Sequence, residues 1–130
     1  MGALSDHAEK LVLDWLMTTG AATRPTEWFV ALYTAAPSDA GGGTEVSGSG
    51  YSRQAIAFGA ASSPDGTTDN TGAVSFTASG GSWGTITHVG IFDASTAGNL
   101  LWHGALAASR TVNDGDTLSF AVGAVTLTLD

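Results

Sequence analysis

The chain has no cysteine among its 130 residues. That absence excludes a disulfide framework and any thiolate metal site, so the fold has to be held by packing and assembly. Cations are nearly as scarce: Lys10, Arg24, Arg53 and Arg110 stand against twelve acidic residues, for a net charge of −8. A protein that neutralises phosphates needs clustered Lys and Arg, and these four are scattered, so direct nucleic-acid binding is not expected. An acidic surface would also be repelled by packaged DNA, although net negative charge serves solubility equally well. No apolar run approaches the ~20 residues that cross a bilayer, and the first residues lack the basic start and apolar stretch of a secretory signal. No membrane role is expected. Glycine is plentiful at 18 residues, and with Ser and Asp it separates short apolar segments, as turns separate strands. The length suits one domain with a two-layer core.

The spacing of Ala8, Leu11, Val12, Trp15 and Leu16 predicts one amphipathic helix from Asp6 to about Thr19. Asp6 and Glu9 read as a capping box and Gly20 as a left-handed C-terminal cap. Trp28 to Thr34 is apolar on both faces, which predicts a central strand or one buried by another chain. A glycine-rich loop runs from Pro37 to Gly50, and Tyr51 to Phe58 reads as the next strand. Ser62 to Asn70 reads as a second polar loop, and Gly72 to Thr77 as a short strand. A hairpin is expected from about Thr85 to Asp93 and from Asn99 to Leu106, with Ile86, His88, Gly90 and Phe92 on one face. Asn113 to Asp116 is a tight-turn signature before Thr117 to Ala121, and Val125 to Leu129 alternates apolar and threonine positions. Seven or eight strands, turning every ~8–12 residues, predict a mainly β fold. The expected architecture is an antiparallel β-sandwich, jelly-roll-like, over residues 21–130 behind an N-terminal helix over residues 1–20.

Reactive constellations are few. His88 and His103 lie on the two hairpin strands with Asp93 nearby, but no His-x-His or His-x₃-His spacing fixes two ligands on one face, so no metal is expected. Asp65, Asp69 and Asn70, and also Asn113, Asp114 and Asp116, offer oxygen ligands for Ca²⁺ without a terminal bidentate Glu, and read better as turn formers. No Gly-x-Ser-x-Gly elbow is present, and nearly all acids fall in turns or on the helix, so neither acyl transfer nor glycoside hydrolysis is expected. Gly41-Gly42-Gly43 lacks the Lys and Ser/Thr of a phosphate loop. The expectation is no enzyme and no cofactor. Of the four tryptophans, Trp15 and Trp28 read as core or interface anchors, whereas Trp83 and Trp102 are the candidates for glycan stacking if exposed, with core packing as the plainer alternative.

Three stretches carry a resemblance: "LYTAAPSDAGGGTEVSGSGYSRQAIAF", "WGTITHVGIFDASTAGNLLWHGAL" and "VNDGDTLSFAVGAVTLTLD". Together they resemble a family of small tailed-phage virion structural proteins, and the likeness covers almost the whole chain. The resemblance implies a non-enzymatic virion component, assembled in the host cytoplasm. A capsid decoration (cement) protein is favoured, because the chain lacks the long shaft and repeats of a fibre. The alternative is a tail fibre or tail-associated receptor- or glycan-binding component. The partners implied are further copies of the chain, with a homotrimer expected at a capsid three-fold axis, and the major capsid protein or tail proteins. Contacts are expected from Leu4, Leu11, Trp15, Trp28, Val30, Leu32, Tyr33, Pro37 and Tyr51.

Overall fold

The apolar runs and turn signals resolve into ten strands and one helix in a computed structural model that describes residues 2–63 and 65–129. The strands are β1 (Ala3–Leu4), β2 (Phe29–Ala35), β3 (Thr44–Glu45), β4 (Gln54–Ala55), β5 (Thr67–Asp69), β6 (Val74–Thr77), β7 (Gly84–Phe92), β8 (Leu100–Val112), β9 (Thr117–Phe120) and β10 (Thr126–Thr128). Helix α1 (Asp6–Met17) lies between β1 and β2. The fold is therefore mainly β, and every strand pair is antiparallel. The main sheet follows the order β1-β8-β7-β2-β3, with β4 also on β2, and two further two-stranded ladders pair β5 with β10 and β6 with β9.

Strand β2 sits inside the main sheet, with β7 on one side and β3 and β4 on the other. Its doubly apolar pattern follows, since both faces are covered by the chain itself. Val30 and Leu32 enter the main core, where Ile86, Ile91 and Trp102 of the sheet meet Val74, Phe76 and Leu118 from the β6–β9 ladder. Ala31 and Tyr33 face the other way, into a smaller cluster with Phe92 and Leu100. On β6 the alternation is strict: Val74 and Phe76 point inward, while Ser75 and Thr77 meet Ser119 and Thr117 of β9 outside.

The hairpin of β7 and β8 forms as expected, but its faces are not those of simple alternation. Register shifts fall between Ile86 and His88 and between Ile91 and Phe92. Ile86 consequently joins Ile91 in the main core, although the two differ in parity. A bulge inserts unpaired residues and turns the following side chains to the opposite face, which periodicity alone does not reveal. Strand β8 also runs on to Val112, beyond the Leu106 end expected of it. Gly90 is buried opposite His103, and a Cβ there would come within 3.0 Å of the Tyr33 ring and 2.9 Å of Leu100. The hairpin turn places Gly98 at φ 74°, a left-handed conformation that glycine adopts freely.

Other boundaries move. The polar loop expected over Ser62 to Asn70 contains β5, and the glycine-rich loop after Pro37 contains β3. The strand expected from Tyr51 to Phe58 shortens to β4 and an isolated bridge between Phe58 and Asn70. Asn70 itself is fully buried: its amide donates to the Gly72 and Ala121 carbonyls at 2.8 and 3.0 Å, and its Oδ1 accepts from the Val125 N–H at 2.9 Å. This one side chain ties the end of β5 to the segment before β10.

Candidate interaction surface

The start of α1 is anchored more firmly than its composition suggests. Ser5, buried and just ahead of the helix, is the N-cap in place of Asp6: its Oγ accepts from the Ala8 N–H and donates to the Leu100 carbonyl. The Ser5 N–H donates to the Leu101 carbonyl, and β1 pairs with Trp102 and His103. A cap belongs to the residue whose oxygen reaches the free first-turn N–H, and Asp6 is already inside the helix. At the other end Thr18 is the C-cap with extended backbone, and Gly20 does not take the left-handed role expected of it.

Only Ala8 of the helix is buried. Leu11 and Val12 are half-buried, whereas Leu13, Trp15, Leu16 and Met17 are 58%, 74%, 60% and 75% exposed. The first turn is therefore docked on β8, and the distal half presents apolar side chains to solvent. Beside it lies a groove of about 300 Å³ between Leu11, Val12 and Trp15 of the helix and Arg24, Pro25 and Trp28 of the segment leading into β2. Its size is at the lower bound for a small-molecule site, and its lining is mostly apolar.

Of the expected contact residues, Leu4, Leu11, Trp28 and Tyr51 are half-buried and Trp15 is exposed. Val30, Leu32, Tyr33 and Pro37 are buried within the single chain: Val30 and Leu32 pack with the β6–β9 ladder, and Tyr33 packs with Phe92 and Leu100. Trp83 and Trp102 are likewise in the core, so neither offers a sugar-stacking face. The Trp83 ring packs edge-on against Tyr51 at 5.5 Å, and its Nε1 donates to the Ser49 carbonyl. The 3.6-residue spacing fits a helix packed on its own domain and one that reaches a neighbour equally well, and it does not indicate which part of the stripe is exposed.

A second built feature joins β3, β4 and the hairpin turn. The Arg53 guanidinium donates from Nε and Nη2 to both Glu45 oxygens at 2.9 Å, and from Nη1 to the Ala94 and Ala97 carbonyls at 3.0 and 2.8 Å. Its Cζ lies 3.6 Å from the centre of the Phe92 ring. Tyr51 donates to Glu45 at 2.7 Å and accepts from the Leu32 N–H. Burial alone would raise the Glu45 pKa, but the hydrogen bonds from Arg53 and Tyr51 and the Arg53 charge outweigh it and hold the carboxyl below its ordinary value. Burial, and after it the Glu45 charge, pushes Tyr33 up to about 12; burial and the bond to Glu45 raise Tyr51 as well. The cluster locks a charged fork into place and offers no free nucleophile or proton carrier.

The histidines do not converge. His103 Nε2 meets Asp39 Oδ1 at 2.7 Å, His88 Nδ1 meets Thr87 Oγ1 at 2.8 Å, and Asp93 accepts from the Asn99 backbone and side chain. No group of three or more metal-ligating side chains forms among the described residues. Asp116 accepts from the Asn113 N–H within its own turn, as turn formers do, whereas Asp114 accepts from the Gly80 N–H and ties the turn to a separate loop. No helix among the described residues is long and apolar enough to cross a membrane.

Comparison with known families adds one finding. A family model described as Podophage GP4 fiber I protein gp80 matches residues 3–128, nearly the whole chain. A search of curated proteins gave no match.

Proposed function

We propose, since the chain belongs to the podophage GP4 fiber I protein gp80 family, that it serves as a non-catalytic structural subunit of a podophage fibre. Family membership makes it a phage fibre-type, virion-associated protein. That supports the tail-fibre alternative better than the capsid decoration favoured on sequence grounds, where the absence of a shaft argued against a fibre. A short domain without repeats serves as an adaptor or tip as well as a shaft serves as a spacer. The observation that carries the reading is the match over residues 3–128. The fold is consistent with it: its polar clusters rigidify, and its most accessible apolar element is a helix held only at one end.

In this reading the two ladders act together as a second layer over the main sheet, a sandwich-like arrangement supported by the core that Phe76 and Leu118 share with Ile86 and Leu32. The partners are further copies of the chain, a trimer being the simplest fibre symmetry, and neighbouring tail proteins; assembly takes place in the host cytoplasm. Sugar recognition through Trp83 and Trp102 is not part of it, because both rings are buried.

The test is a phage with this gene deleted, examined by cryo-electron microscopy beside protein analysis of separated heads and tails. The fibre reading expects the chain in the tail fraction and fibre density missing from otherwise filled particles. Recovery with heads, or head instability on deletion, would return the assignment to decoration.

A further inference from the structure

Helix α1 exposes more apolar surface than its own domain uses. Leu13, Trp15, Leu16 and Met17 are each more than half exposed, and at ~200 Å² for a large side chain they leave roughly 500 Å² of apolar surface on a single element. Leu13, Leu16 and Met17, at i, i+3 and i+4, share the outer face of the helix, whereas Trp15 lies on the side that lines the groove, so the exposed apolar surface flanks the helix on two sides and its sum is at the upper range for a monomer. With the adjoining groove it approaches the ~800 Å² that each partner contributes to a standard interface.

Charge indicates the occupant. The first turn of α1 carries Asp6 and Glu9, and its last turn has no basic residue. Arg24 lies on the rim of the groove that Trp15 also lines, and it has no ion-pair or hydrogen-bond partner among the described residues. Lys10, the cation of the helix itself, is paired with Asp14, which leaves Glu9 as the acid at the start of the outer face and Arg24 as the cation of the groove. Side-by-side parallel packing of two such patches would set acid against acid. An antiparallel or head-to-tail arrangement sets Arg24 of one copy against the acidic first turn of the next. A second copy of the chain therefore supplies both the apolar area and the matching charges.

We propose that this face is a homotypic interface, in which the distal half of α1 packs on the groove of a neighbouring copy and Arg24 faces the neighbour's Glu9. An antiparallel pair about a two-fold axis and a head-to-tail ring of three both satisfy it. The inference gives a surface to the oligomer of the fibre reading, yet it rests on the helix, so either can fail without the other.

Sedimentation of the full chain from micromolar to hundreds of micromolar tests it. The expected result is a discrete dimer or trimer for the natural sequence, and for Trp15→Glu combined with Met17→Lys a monomer that still unfolds cooperatively, with a thermal midpoint matching that of the natural chain at dilutions where both are monomeric. Arg24→Glu should weaken association by about tenfold or more, and adding Glu9→Lys should recover it. A natural chain that stays monomeric throughout, an oligomer that survives the double helix substitution, or a charge exchange without recovery would each overturn the proposal. So would a chain that gains mass only with another virion protein.

Discussion

Arg53 concentrates several structural tasks in one side chain, because its planar fork spans Glu45 on β3 and two carbonyls of the hairpin turn while its face covers Phe92. Arg53→Ala is expected to cost about 3 kcal/mol, since it strands a half-buried carboxylate. Urea unfolding with an unchanged denaturant slope would check this, and Arg53→Lys should recover only part of the loss, as an ammonium lacks the fork. Asn70 likewise has several partners at stake. Asn70→Ala would leave the buried Val125 N–H without its acceptor, at about 1–3 kcal/mol, while the Ala121 carbonyl keeps the Ala124 N–H and Gly72 lies in an exposed segment. Neither role was legible in the sequence: Arg53 falls in a short alternating segment and Asn70 at the end of a polar loop, and the partners of each are remote in the chain.

At the scale of elements, α1 divides into a docked half and a presented half. Ser5→Ala removes the cap and the bond to Leu100, and should cost about 1–2 kcal/mol in thermal unfolding. Trp15→Ala, in contrast, should leave monomer stability within about 0.5 kcal/mol, because a side chain 74% exposed has little burial to lose. A sedimentation run beside a melt separates the two outcomes. The helix itself was legible from its 3.6-residue spacing. Which part of its stripe would be covered was not, since that depends on how far along β8 the helix stays in contact. Strand β2 was legible in the same sense: its doubly apolar pattern required burial on both faces, and the structure supplies this from within the chain.

For the whole molecule, the shifted groups set a stability profile against pH. Glu45 titrates lower in the folded state than in the unfolded chain, so its contribution is present above the ordinary carboxylate range and is lost as pH falls through the folded value. Tyr33 titrates higher, at about 12, so its contribution is complete below pH ~10 and is lost as pH rises from there towards 12. Chemical denaturation across both limits should show falling stability at each end, and Tyr33→Phe should reduce the alkaline limb, with Tyr51, raised by burial and its bond to Glu45, supplying what remains. What the sequence by itself determined is what depends on local pattern and composition: a mainly β chain, one amphipathic helix, a hairpin, the Asn113 to Asp116 turn, and the lack of clustered cations and thiols. Only the tertiary structure decided the strand order, the register shift that puts Ile86 on the same core face as Ile91, the burial of Trp83 and Trp102, and the exposure of Trp15. Those depend on contacts between segments far apart in the chain, whose distance is set by the whole fold and leaves no periodicity in either partner.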